Sequence, residues 1–466
     1  MISKMGKGLS ASLAALMIAA AFAGCGDKPV SESGAASSSG DGTSSTGTGG
    51  SSGIFEGFKT DPGQVSFDGK EVVIASFGDI EPKDDGTQAG KKTLKRVQMA
   101  EETFNCKFVY KLMPDAQTYA SAAAAGIHYA DIVHSPTIWS FPSWIRNEFY
   151  RPLDDVIDYS SDKYKEQDVI SKWVNGKHYF LVDGAKNYPL VVIYNPDILE
   201  REGCEDPVTM MQEGRWNWDA LETIAKKCTK TSGAQKQYGL TGWFVTSLLQ
   251  SNGVRTVKVT DNALATDLFE DTSLNALTFY RKLLVEDKVV NPAGWEVGFD
   301  NFTQGQDAMR IAELYTIANL RDKMSNFKVV PMPMGPDVEG YCTIASNIGI
   351  AGVSSTSPYD TADLMALWVY RNGTGFKEDA ETYIDPYKNF AESAETNKYF
   401  STDEELELYW DTWQNSTSYF APEMDANIMW TYITSNDSKI ALGESPSTVL
   451  ESMKNEVNAA LENMMK

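Results

Sequence analysis

Asp79 stands just behind a short apolar run, Glu71 to Phe77, with Gly78 between them. A carboxylate past the C-terminal end of a strand lies where open α/β sheets bind ligands, although a helix cap or a turn would also place one there. Trp139 follows another such run, Ala130 to Val133, at the same edge. Trp295 lies in the polar loop Gly294-Trp295-Glu296, where an exposed ring needs a reason, and Trp243 follows Leu240-Thr241-Gly242. Carboxylates accept hydroxyl protons and aromatic faces cover flat patches of C–H, so the pairing suits a sugar. Each of these residues also has a structural alternative as core, lid or turn.

Other chemistries find little support. Beyond residue 53 there is no G-x-S-x-G, H-E-x-x-H or Walker loop, and S-x-x-K occurs at Ser160–Lys163 and Ser325–Lys328 without K-T-G. An exported glycoside hydrolase, needing only a carboxylate pair and aromatics, stays open as the enzymatic alternative. Cys106, Cys204, Cys228 and Cys342 are scattered, with no C-x-x-C and no ligand-like spacing to His128, His134 or His178. No metal and no cofactor are expected, and any disulfide pairing is undetermined by spacing. The net charge is −23, or −25 once Lys4 and Lys7 leave with the leader. Such acidity argues against nucleic acid and anionic lipid surfaces, which require clustered Lys and Arg. The 11 Trp and 21 Tyr are generous for an acidic chain, though most should fill cores.

The first residues carry Lys4 and Lys7, then an apolar run from Leu9 to Ala23 that closes on Gly24-Cys25. That is the layout of a secretory signal, and it is shorter than the roughly 20 residues of a spanning helix. Phe22-Ala23-Gly24-Cys25 resembles the bacterial lipobox, which implies cleavage before Cys25 and acylation of that cysteine. Val30 to Gly53 is almost entirely Ser, Gly, Thr and Ala and reads as a flexible tether with an r.m.s. reach of roughly 25 to 30 Å.

Positioning the candidate residues falls to the roughly 410 residues that follow, enough for two or three domains. Strand character at Glu71–Phe77, Lys107–Leu112 and Ala130–Val133 alternates with helical patterns at Thr93–Phe104 and Ser121–Gly126, the signature of a parallel α/β layer. A second α/β lobe starts with the strand Tyr188–Tyr194. It continues through helices at Trp218–Lys227 and Leu274–Val285 and a strand at Lys328–Pro331. An apolar run at Asn347–Val353, a helix at Thr361–Tyr370 and an amphipathic helix at Pro446–Met464 complete the pattern.

At this level the chain resembles the family-one extracellular solute-binding proteins, the sugar-binding partners of ATP-driven (ABC) importers, of which the maltose-binding protein is the familiar member. Gly78-Asp79 resembles the first ligand loop and Ala130-Asp131-Ile132-Val133 a Pro-Asp-Ile-Ile strand. Pro152-Leu153-Asp154-Asp155, Ile193 to Leu199 and Trp218 to Leu221 match further elements in order. The most specific is Phe302 to Met309, similar to Phe-x-x-Gly-x-x-Ala-Met. Six residues on, Tyr315 occupies the place of a sugar-stacking tryptophan, and Trp430 lies thirteen residues before Gly443, where the last stacking ring is placed.

The resemblance implies an α/β, two-lobed periplasmic-binding-protein-like fold with a hinge and a ligand cleft between lobes. It implies a signal at 1–24, a tether at 25–53, one lobe from 54–187 plus 340–375 and the other from 188–339 plus 376–466. Asp79, Trp139, Trp243, Trp295, Glu313, Tyr315 and Trp430 are the expected ligand-binding residues and Cys25 the lipidation site, while Asp131 and Asp154 are assigned to structure. The expected ligand is a sugar, with a non-sugar ligand or service to a sensor system as alternatives, and no catalytic residue is expected. The expected partners are permease subunits and, through lipid, the outer face of the cell membrane of a single-membrane bacterium, with the chain acting as a monomer. Ala130 replaces the usual proline, Glu313-Leu314-Tyr315 replaces Gly-Pro-Trp, and Ser135 stands where an aromatic is usual, so maltose specificity is not implied.

Overall fold

The computed structural model describes residues 53–183, 190–232, 236–242, 245–260, 263–292, 299–321, 323–344, 349–372, 385–396, 399–419 and 428–465. The leader, Cys25 and nearly all of the tether lie outside the described residues, as do Trp243 and Trp295.

The strands in chain order are β1 (Lys70–Ser76), β2 (Cys106–Leu112), β3 (Ile132–Pro136), β4 (Leu181–Asp183), β5 (Leu190–Tyr194) and β6 (Tyr238–Gly242). After the short pair β7 (Lys258–Val259) and β8 (Leu264–Ala265) come β9 (Asp307–Glu313), β10 (Lys328–Pro331), β11 (Cys342–Ile344), β12 (Gly349–Val353) and β13 (Thr417–Tyr419). They form two main sheets, ordered β2-β1-β3-β12-β4 and β10-β5-β9-β6, and β11 pairs with β13 apart from both.

In the first sheet β1 is parallel to β2 and β3, as strand–helix–strand crossovers require, and β12 runs antiparallel between β3 and β4. In the second, β5 is antiparallel to β9 and β10, and β9 is parallel to β6. Strands β3 and β5 are buried along their whole length, which explains the unbroken apolar run of β5, whereas β3 also buries His134 and Ser135.

Several boundaries differ from those read in the sequence, each for a local reason. The first helix starts at Gln88 because Thr87, in extended conformation, accepts from the Gly90 N–H at 2.9 Å. The next spans Ala116–Ala124 because Asp115 caps it by accepting from Thr118 N–H at 2.8 Å. Strand β3 continues to Pro136, whose missing N–H falls on the strand's last residue. The helix expected at Leu274 begins at Asp271 and passes into a π-helical turn over Lys282–Glu286. Strand β9 has no counterpart in the sequence reading, because Asp307, Arg310 and Glu313 recur every third residue and mimic a helix face.

The first sheet's core gathers Val72, Ile74, Ile132, Leu364, Leu367 and Trp368. Ile54, Phe55 and Phe58 pack on it, so the chain is already fastened to the fold where the tether ends. Around the second sheet, Ile224, Leu240, Met309 and Val330 share a core with the helix Pro446–Met465. That helix buries Val449, Leu450, Met453, Val457 and Leu461, an i, i+3/i+4 stripe. Among the described residues no helix is long and apolar enough to cross a membrane.

Candidate ligand cleft

At the C-terminal edge of the first sheet, β1 and β3 hand over to short loops whose positions are set by buried hydrogen bonds. Ser76, the last residue of β1, shares a 2.9 Å hydrogen bond between its hydroxyl and His134 Nδ1, and its oxygen accepts from Gly78 N–H at 3.3 Å. Phe77 packs on His134 with ring centroids 5.1 Å apart and meets Trp139 edge to face at 6.2 Å. Trp139 sits in the single-turn helix Thr137–Ser140 and is half-buried, so its ring belongs to this edge. Phe77, a partly open ring immediately before Gly78-Asp79, is a site element that the sequence reading passed over.

Asp79 lies three residues beyond β1 with its side chain 42% exposed. One oxygen accepts from Glu81 N–H at 3.2 Å in a local turn, and the other pairs with Lys83. The hydrogen bond from Lys83 holds its carboxyl below the usual range. Asp79 is thus an ionised acceptor at the sheet edge that also shapes its own turn. Behind it, the buried Arg371 donates from Nη2 to Ile80 O at 2.9 Å and from Nε to Tyr110 OH at 3.2 Å, clamping the loop. No sequence pattern distinguishes this arginine from an ordinary exposed one at a helix end.

At the second sheet the matching edge is made by the ends of β9 and β6. Glu313 closes β9 opposite Leu190, and the chain turns at once into the 3₁₀ helix Leu314–Ile317, with Thr316 Oγ1 donating to Glu313 O at 2.6 Å. Tyr315 is in that turn, directly beyond the strand. Gly242 ends β6 at φ +112°, and a Cβ there would lie 2.1 Å from Ile311 O, so only glycine fits beside β9. The helix Val245–Ser251 follows, and the π-helical segment Ile428–Thr434, which contains Trp430, packs against it. Glu313, Tyr315 and Trp430 therefore belong to elements gathered about one end of this sheet.

The two edges are joined by short connections. Asp183 and Pro136 both lie opposite Gly349, which puts the end of β4 at the edge of Phe77 and Trp139. From Asp183 the chain reaches Leu190, at the Glu313 edge, in seven residue steps, at most about 25 Å. A second short link runs from Ile344 to Gly349. Polar contacts also span the halves: Arg146 donates to Asn463 O at 3.2 Å and Met464 O at 3.3 Å, at the C-terminal end of the last helix. Gln88 N–H donates to Glu392 at 3.4 Å. The first edge sets a carboxylate near two partly open rings, and short links run from it toward the edge that carries Glu313. Among the described residues no cluster of three His, Cys, Asp or Glu is arranged to hold a metal.

A comparison with curated proteins found no match. Solved structures share the fold. A sugar transporter protein from Rhizobium etli in an open conformation is 17% identical, with TM-score 0.60, and the alignment covers 84% of this chain and 99% of that one. A cyclo/maltodextrin-binding protein complexed with maltotetraose is 17% identical, with TM-score 0.57, over 85% of this chain and 97% of that one. An ABC substrate-binding protein from Listeria monocytogenes in complex with cycloalternan is 18% identical, with TM-score 0.54, over 85% and 100%. At these identities the likeness is one of fold, the α/β, two-lobed fold expected from the sequence. The profile of the bacterial extracellular solute-binding proteins matches residues 105–368, which hold β2 through β12 and most of both sheets. The chain belongs to the bacterial extracellular solute-binding proteins.

Proposed function

We propose that this protein captures a carbohydrate, a mono- or oligosaccharide, between its two halves and delivers it unchanged to the permease of an ABC importer. The observation that carries this reading is the pairing, on the first sheet's edge, of the ionised Asp79 with the partly open rings of Phe77 and Trp139. An acceptor beside an apolar ring face fits a sugar's hydroxyls and C–H patches. Glu313, Tyr315, Trp243, Trp295 and Trp430 are proposed to supply the opposing surface. Two of the related folds carry maltotetraose and cycloalternan, which favours an oligosaccharide.

The proposed halves are 54–187 with the segment from Gly349 to 375, and 188–344 with 376–466. The second boundary follows Ile344 because β11 pairs with β13 and not with the first sheet. Ligand biases an open arrangement toward a closed one through contacts that exist only when both edges meet it. Cys25 is proposed to carry lipid that holds the protein on the outer face of a single-membrane bacterium, with the tether giving it reach to the permease.

A thermal-shift screen of mono- and oligosaccharides beside polyamines and peptides tests the ligand class. A sugar held at 100 times its dissociation constant adds about 2.7 kcal/mol of stability. A shift with a polyamine or peptide and with no sugar would refute the carbohydrate reading.

A further inference from the structure

The structure brings Cys204 and Cys228, 24 positions apart, to an Sγ–Sγ separation of 3.7 Å, sulfurs in van der Waals contact. Two neighbouring helices hold them there. The helix Pro196–Arg201, capped by Asn195, ends at Glu202 and Gly203. Gly203 has φ +65°, and the Cys204 N–H donates back to Leu199 O at 2.8 Å. That turn lays Cys204 along the flank of its own helix. Cys228 is the last residue of the helix Trp218–Cys228, and its carbonyl accepts from Gln237 Nε2 at 2.5 Å. Both backbones are thus fixed independently of the sulfurs. Cys228 is fully buried and Cys204 half-buried.

We propose that Cys204 and Cys228 form a disulfide in the exported protein. Covalent closure to about 2.05 Å requires the two sulfurs to swing toward each other, a side-chain rotation that leaves both helices in place. The extracellular setting of the family supplies an oxidising environment. The oxidant is a disulfide, either a small molecule of the glutathione type or a protein dithiol oxidant. Cys204, the more accessible sulfur, attacks one sulfur of that disulfide as thiolate and expels the first thiolate, giving a mixed disulfide. The Cys228 thiolate then attacks Cys204 Sγ and expels the second. The oxidant's S–S bond takes the electron pair and the two cysteine protons end on the released thiols. Burial raises both thiols above their ordinary range, so neither is a ready nucleophile in the native fold and the bond forms while the chain folds. Cys106 and Cys342 lie in β2 and β11, which belong to different sheets, and serve as internal controls.

The full chain, refolded from denaturant with oxidised and reduced glutathione, is then unfolded without reductant in iodoacetamide, digested and mapped by mass spectrometry. The proposal expects alkylated Cys106 and Cys342 and a cross-linked Cys204–Cys228 peptide that disappears when reductant precedes alkylation. Reductant should also lower the melting midpoint of the oxidised protein by about 5 °C, as loss of a 24-residue loop closure implies, and leave that of the Cys204→Ser, Cys228→Ser double variant unchanged. Alkylation of both Cys204 and Cys228 in the refolded protein, a bond from either one to another cysteine, or equal responses of the two proteins to reductant would overturn the proposal.

Discussion

The first sheet is secured from inside by buried groups where β3 begins. Asp131, whose side chain is 0% exposed, accepts from Val73 N–H at 2.8 Å and Ser357 Oγ at 2.7 Å and meets His128 Nε2 at 2.9 Å. The second sheet is secured on its flank by ion pairs. Asp206 accepts from Tyr194 OH and pairs with Lys328 at 2.9 Å, and Lys328 also reaches Glu405 on the helix Asp403–Gln414 at 3.3 Å. Those side chains are 36% exposed at Asp206 and 28% at Lys328. Buried hydrogen bonds are not screened by solvent and are costly to break singly, whereas half-exposed ion pairs are worth little and answer to salt and pH. The buried set around Asp131 is therefore a fixed platform, and the ion pairs around Asp206 are the contacts that answer to conditions.

Breaking the platform should have the largest effect. Asp131→Ala leaves Val73 N–H and the Ser357 hydroxyl without their acceptor inside the first sheet, and is expected to cost about 3 kcal/mol, a fall of roughly 4 °C in melting midpoint. A loss under about 1 kcal/mol in urea titration would remove the distinction between the two sets of contacts.

Next come the proposed stacking residues of the second half. Tyr315→Ala and Trp430→Ala should each weaken sugar binding about 30-fold, roughly 2 kcal/mol, while the ligand-free protein melts within a few degrees of wild type. Unchanged affinity in both variants would place the sugar elsewhere.

The smallest expected effect is at Asp206. Burial alone would raise its carboxyl, but the hydrogen bonds from Tyr194 and Lys328 outweigh that and hold it below the usual value. A lowered native value means stability present above the unfolded-state value, about 3.9, and lost as pH falls through the native one. After allowance for its exposure, Asp206→Asn should cost about 1 kcal/mol at pH 7 and progressively less as pH falls below about 4. Urea midpoints of the two proteins that differ as much at pH 2 as at pH 7 would contradict the assignment.

The sequence revealed the fold wherever one signal acted alone. Lys328–Pro331 is a strand with the expected ends, and Trp218 begins a helix behind the Asn217 cap. It concealed the fold wherever tertiary contacts made an unusual residue tolerable. Strand β9 buries Asp307 against Asn291 Nδ2 at 2.7 Å and sets Arg310 over the Phe299 ring at 5.0 Å, and neither contact follows from local pattern. The site divides in the same way. Asp79 and Trp139 were legible as residues at strand ends. Phe77 reads as the last residue of an apolar run, Arg371 acts on a loop 291 positions away, and Cys204 meets Cys228 only through helix packing.

Titration calorimetry of the ligand-free protein with oligosaccharides, followed by chromatographic recovery of the sugar, tests the central claim most directly. The account predicts saturable heat for at least one oligosaccharide, one bound per chain, with the sugar recovered unaltered. Absence of heat from every sugar, or recovery of shortened products at catalytic rates, would contradict it.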